Sequence, residues 1–268
     1  MSPEPEDMQW PPMLVWDEFG YAGGAGRVSR IANPLKGRPP VAVTVPAPPG
    51  LGADPAYDTT WLHSFIFDRK AVPMSIRYRS PDGADAADHL KGVASGIAEI
   101  VRRGPALGYD ASRMVLVGKG WAAAVAALLA TDPSWLEEAG VPFASVRGVL
   151  ILGGAGLDPS RPPRSEAWAK AAAESFGDGE ARRRFSPLAQ VGPPDAPAFL
   201  LFAPPGDRAG VAEAQAFAAA LVAAGARAEV RTPVRSRPYI WSSHVGHPTH
   251  AEYGSMKRFF DAALPRRR

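Results

Sequence analysis

Three groups of residues have the types and spacing to do chemistry. The first is Gly118-Lys119-Gly120-Trp121-Ala122, a glycine-bracketed turn between the apolar run Met114 to Val117 and an alanine-rich segment of helical propensity. Its Lys119 amine is a candidate nucleophile or Schiff-base former. The second runs from Ser242 and Ser243 through His244, His247 and His250. The histidine spacing, H-x-x-H-x-x-H, invites a metal reading, since ligands three residues apart converge on a helical turn. Pro248 interrupts that turn and no obvious carboxylate adjoins, so no metal is expected. Nothing local marks either serine as activated. The third is Asp207, which follows the apolar run Phe199 to Ala203 in Pro204-Pro205-Gly206-Asp207-Arg208 and reads equally as a turn and helix entry. Carboxylate and imidazole are the components of general acid–base catalysis.

A buried strand, a tight glycine turn and a helix packed back on the sheet is the layout of a nucleophile elbow, G-x-S-x-G, in which the middle serine projects from a strained turn. Here the serine position holds Gly120. Tyr109-Asp110-Ala111-Ser112-Arg113 precedes the strand, and Leu128-Leu129-Ala130-Thr131-Asp132-Pro133 follows the helix. Val146 to Gly154 is the next apolar strand. With these flanks the chain resembles the α/β-hydrolase superfamily, in particular its carboxylesterase, lipase and kynurenine-formamidase-like members. The likeness runs from about Phe19 onward and is strongest between Tyr109 and Asp158. Tyr78-Arg79 and Ser186-Pro187-Leu188 are similar to further family segments.

The resemblance implies a nucleophile, acid, histidine order, carried here by Gly120 as a degenerate nucleophile position, Asp207 and His244. His247 and His250 compete with His244 for the family position. It also implies that Lys119 points away from the serine's direction. At Trp121 it implies a backbone oxyanion donor and an indole that partly fills the pocket left by the missing hydroxyl. In the family's esterases a His-Gly-Gly-Gly loop helps to bind the oxyanion through its N–H groups. The corresponding segment here, Pro46 to Gly52, holds three prolines, which have no N–H to offer. Gly50 and Gly52 remain as displaced donors, and the prolines are expected to prevent the usual loop.

Stepping outward, the elements that position these residues alternate between strand and helix. Leu14 to Ile31 reads as an antiparallel hairpin around the turn Gly20 to Gly26. Val41 to Val45, Val72 to Arg79, Ala198 to Ala203 and Ala228 to Val234 read as strands. Helices are expected over Asp54 to Phe67, Ala86 to Arg103, Ser165 to Lys170, Val211 to Ala224 and Ala251 to Leu264, with Lys91 and Glu99 on a solvated face. The fold class is therefore α/β: a mostly parallel central sheet flanked by helices on both faces, with right-handed crossovers and a small cap insertion. The organisation is a flexible arm over residues 1–13 and a single α/β-hydrolase-like domain over 14–268, within which 153–188 forms a cap or lid.

Composition narrows the function. The 268 residues suit one α/β domain, and 46% hydrophobic content can bury a sheet on both faces. The absence of cysteine excludes disulfides, thiolate metal sites and thiol catalysis. Thirty basic residues against 27 acidic ones leave an excess that Arg266-Arg267-Arg268 accounts for, without the aromatic–basic interleaving of a nucleic-acid binder. The acidic, proline-rich start is no secretory signal and no apolar run has spanning length, so a cytoplasmic protein without membrane contact is expected. These residues point to an esterase-like pseudoenzyme that needs no cofactor. It would bind a small ligand or a protein partner, with Trp121, Lys119, Gly50 and His247 as binding residues. The alternative is an enzyme that reuses the pocket through Asp207 and His244 for non-serine hydrolysis, transfer or another general-base reaction.

Overall fold

The computed structural model describes residues 15–32, 35–48, 60–82, 84–153, 156–159, 166–177, 179–203, 206–232 and 245–265. The 1–13 arm, Gly50, Gly52, Ser242, Ser243 and His244 lie outside the described residues.

Period-two patterning organises the centre of the molecule. Four parallel strands, β3 (Pro40–Thr44), β5 (Asp110–Lys119), β6 (Val146–Leu152) and β7 (Ala198–Phe202), bury side chains on both faces. Val43, Leu116, Ile151 and Leu201 enter one core, while Ala42, Val117, Leu152 and Phe202 enter the other. The hairpin β1 (Trp16–Tyr21) and β2 (Gly26–Ile31) is antiparallel and joins the sheet through β4 (Val72–Tyr78). β8 (Arg227–Arg231) closes the other edge. The eight strands run in the order β1-β2-β4-β3-β5-β6-β7-β8, so β5 lies inside the sheet with β3 and β6 as neighbours.

One face is covered by α1 (Thr60–Asp68) and α9 (Tyr253–Ala263), whose Leu62, Phe65, Met256 and Phe260 meet the second core. The other face takes α2 (Ala86–Leu107), α3 (Ala122–Thr131) and α8 (Arg208–Ala223). A short α4 (Ser134–Glu138) follows α3. Between β6 and β7 the chain forms α5 (Glu166–Phe176), α6 (Gly179–Arg184) and α7 (Pro187–Gln190) in the stretch expected to insert as a cap.

Several boundaries differ from expectation. α2 runs on to Leu107 through Pro105, because the helix stops only at Gly108, which adopts φ +77 and donates to the Gly104 carbonyl. Its start is firmly set by a capping box between Asp85 and Asp88. β5 is longer than the apolar run within it, since Asp110 N–H already donates to Pro39 O. α8 begins three residues earlier than expected, at a cap supplied by Asp207.

Candidate functional site

The turn from β5 to α3 is built by two glycines with different jobs. Gly120 N–H still donates to the Leu152 carbonyl at 3.0 Å, so the ladder with β6 reaches the turn itself. Gly120 then adopts φ +57, a left-handed conformation that reverses the chain into α3. Gly118 lies under the first turn of that helix, where a Cβ would fall 2.4 Å from the Ala122 carbonyl oxygen. All ten residues of α3 are buried, which explains its run of alanines: small side chains let the helix lie close on the sheet. The N-terminus of α3 stands at the carboxyl edge of β5, and its partial positive charge favours an electronegative oxygen there.

Apart from its chain neighbours Lys119 and Trp121, no atom among the described residues lies within 4 Å of a Cβ built on Gly120. The Trp121 indole has neighbours of its own. It turns toward the segment after β6, within 3.3 Å of where a Gly156 Cβ would lie, and toward Phe176 of α5 with ring centroids 6.0 Å apart. Lys119 is half-buried at the last position of β5.

Strand register sets the end of β7 at the same edge. Lys119 is level with Leu152 on β6, and Leu152 with Phe202 on β7, so the chain leaving β7 toward Asp207 emerges two strands from Gly120. The Asp207 carboxylate accepts the Gly210 N–H at 2.8 Å and caps α8. Of the three histidines, His247 and His250 are described, and His250 N–H donates to the His247 carbonyl at 2.9 Å. His247 packs edge-on against Trp61 of α1, 4.3 Å between centroids, with Nδ1 2.6 Å from Thr249 Oγ1. His250 Nδ1 accepts the Glu252 N–H. Among the described residues no group of three His, Asp or Glu side chains lies together as metal ligands do.

Two buried polar arrangements near this edge were missed in the sequence. His89 of α2 is 1% exposed, with Nδ1 3.0 Å from Ser80 Oγ and Nε2 3.5 Å from the Pro46 carbonyl oxygen. Burial pushes its pKa down to about 4, offset in part by that carbonyl. A carbonyl only accepts, so the neutral ring carries its proton on Nε2, and Ser80 donates to Nδ1. The signal was present: His89 stands four residues before Val93 on the apolar stripe of α2, where a polar residue needs partners. The second arrangement is Glu213 of α8, whose buried carboxylate accepts the Asp158 N–H at 2.7 Å and ties down the segment after β6. On the opposite face of the sheet His63 of α1, held 3.3 Å from Ser75 Oγ, is likewise pushed down to about 4 by burial.

No family model matches the chain, and no curated protein sequence matches it. Solved structures do. Esterase B of Lactobacillus rhamnosis is similar with a TM-score of 0.75 at 18% identity, over 97% of this chain and 89% of that one. A thermophilic esterase of the planctomycete Thermogutta terrifontis with propionate bound gives 0.72 at 16% identity, over 96% and 97%. The esterase 2 of Thermogutta terrifontis phosphonylated by sarin gives 0.74 at 16% identity, over 96% and 98%. With its strand order, its two helical layers and these full-length similarities, the chain has the α/β-hydrolase fold, the architecture it shares with these esterases.

Proposed function

We propose that this esterase-like protein binds a small ligand at the carboxyl edge of the sheet, beside Gly120, and does not hydrolyse esters through a serine intermediate. The observation that carries the reading is the turn after β5. Its left-handed backbone and close helix packing are similar to those of a nucleophile elbow, and its central residue has no side chain. Covalent catalysis needs a nucleophile within hydrogen-bond reach of a base. A glycine supplies none. What the turn retains is the capacity to meet an oxygen atom with backbone dipoles, which is a binding function. One structural neighbour holds propionate, so short-chain carboxylates are the first ligands to screen.

The test is direct. Incubated with p-nitrophenyl acetate and with a fluorophosphonate probe, the protein is expected to show neither turnover nor labelling. A protein covalently labelled at stoichiometric level would sink the reading.

A second reading has Asp207, together with His244, activating water or a substrate hydroxyl. The support for it is that β7, which Asp207 follows by five residues, ends level with β6 and β5 at the same sheet edge. Turnover of an ester without probe labelling, abolished by Asp207→Asn, would select it.

A further inference from the structure

A recess opens at the β8 edge of the sheet, by the amino ends of the strands and so across the molecule from Gly120. Strand parity builds it. Ala228 and Val230 of β8 pack against the first core, so Arg227 and Glu229 project on the other face, the one that carries α9. There they stand level with Ala198 and Leu200 of β7. Gly148 of β6 has no side chain, and the Phe259 ring of α9 comes within 2.9 Å of where its Cβ would lie, so the helix seats inboard. Between α9 and the edge strand this leaves a groove of about 200 Å³, lined by Leu200 and Phe259 and flanked by Arg227, Arg258 and Ala262.

The charges around the groove do not cancel. Glu229 is taken by Arg231 at 2.7 Å, and Asp261, the next acid along α9, by Lys257 at 3.7 Å. Arg258 donates to Ser255 Oγ at 3.2 Å and meets no carboxylate among the described residues. Arg227 is exposed and has no ion-pair partner among them. A guanidinium binds an anionic head through several N–H donors, while its stem covers apolar atoms. The volume matches roughly six or seven groups of water size, at ~30 Å³ each. That suits an alkyl chain of medium length and is too little for a helix, about 10 Å across. The chain's own Arg266-Arg267-Arg268 carries the wrong sign for it.

We propose that this groove is a second ligand site, which takes a single-chain anionic amphiphile: the alkyl chain lies on Leu200 and Phe259, and Arg227 and Arg258 hold the anionic head. The site is independent of the ligand-binding reading at Gly120 and stands or falls separately from it.

The experiment follows amide resonances of the 15N-labelled full chain during titration with octanoate, butyrate and octanol. Octanoate should move the Ala228 and Ala262 resonances saturably. Butyrate should bind there at least tenfold more weakly, since each buried methylene is worth up to about fourfold. Octanol keeps the chain and loses the charge, and should also bind about tenfold more weakly. Arg227→Gln and Arg258→Gln should each cost about threefold in octanoate affinity, a difference that raised salt should erase. Ala262→Phe, a change at an exposed position of α9, should fill the groove and abolish the Ala228 response without lowering the thermal midpoint. Octyl phosphate run beside octanoate tells a phosphate head from a carboxylate, and saturable binding of either at these resonances supports the site. Octanol as tight as octanoate overturns the proposal, as does octanoate affinity unchanged in both arginine variants. Octanoate that moves the Gly120 resonance but neither Ala228 nor Ala262 overturns it too. So would Ala228 and Ala262 shifts that follow protein concentration alone, which would seat a second copy of the chain in the groove.

Discussion

At Gly120 the backbone stands in the left-handed region, where an L side chain costs about 1–2 kcal/mol although, its chain neighbours apart, no described residue crowds a Cβ there. Gly120→Ser is therefore expected to fold, with stability lowered by about that amount in thermal or urea denaturation. Even with a hydroxyl introduced there, only trace ester turnover is expected. Loss of one oxyanion donor costs a working hydrolase about 10²–10³ in turnover, and between Pro46 and Pro48 only Ala47 carries an N–H. Robust p-nitrophenyl acetate hydrolysis by Gly120→Ser would show that a complete oxyanion site survives. Gly118 is constrained differently. A methyl group there meets helix backbone, which cannot rotate away, so Gly118→Ala should cost about 1–3 kcal/mol and loosen α3 from the sheet. A Gly118→Ala protein as stable as the parent in urea would contradict that packing.

At the scale of elements, Asp207 separates a structural role from a chemical one. Its carboxylate caps α8 through the Gly210 N–H. Asparagine caps a helix about as well as aspartate, whereas alanine does not. Asp207→Ala is expected to lower stability by about 1 kcal/mol, while Asp207→Asn should stay within a few tenths of the parent. If both substitutions destabilise alike, the charge rather than the cap holds this end of α8. The element around His89 carries a different constraint. α2 is joined to the end of β4 by Ser80 and to the segment after β3 by Pro46, so its first turn controls a stretch of chain more than forty residues upstream. The capping box that starts this helix belongs to the same assembly. Asp85→Ala should cost about 1 kcal/mol in urea denaturation. Unchanged stability would show that this end of α2 is held without the cap.

Across the whole molecule, two buried neutral histidines, one on each side of the sheet, make stability depend on pH. His63 and His89 both have folded pKa values near 4, below the ordinary 6.5. Below pH 6.5 the unfolded chain takes up protons that the folded chain refuses, so stability falls with falling pH. The loss continues until the folded histidines themselves titrate, near pH 4. Each contributes a slope of at most about 1.4 kcal/mol per pH unit in that window, and above pH 7 the term vanishes. Urea denaturation at pH 7 and pH 5 should show a marked loss at pH 5, roughly halved in His63→Leu when each protein is compared with itself at pH 7. A flat profile between these values would mean that the imidazoles are solvated. Among the described residues no helix is long and apolar enough to cross a membrane.

The strands, the glycine turn and the two-faced sheet were legible in the sequence because their causes are short-range. Val115 and Leu116 alternate into opposite cores as their period demands, and Gly118 and Gly120 announce a tight reversal wherever the chain is placed. The α/β class follows from such local signals in succession. The surroundings of the turn were decided by contacts between residues far apart in the chain. The Trp121 indole packs against the segment at Gly156 and against Phe176 of α5, and nothing within the pentapeptide specifies those neighbours. His89 read as one residue on a helix until α2 set it against the Pro46 carbonyl. The prolines after β3 read as lost donors, since composition reports which N–H groups exist and not where the remaining one points. For Val45 that direction is given by its bond to the Val117 carbonyl, and only the packed sheet supplies that partner strand.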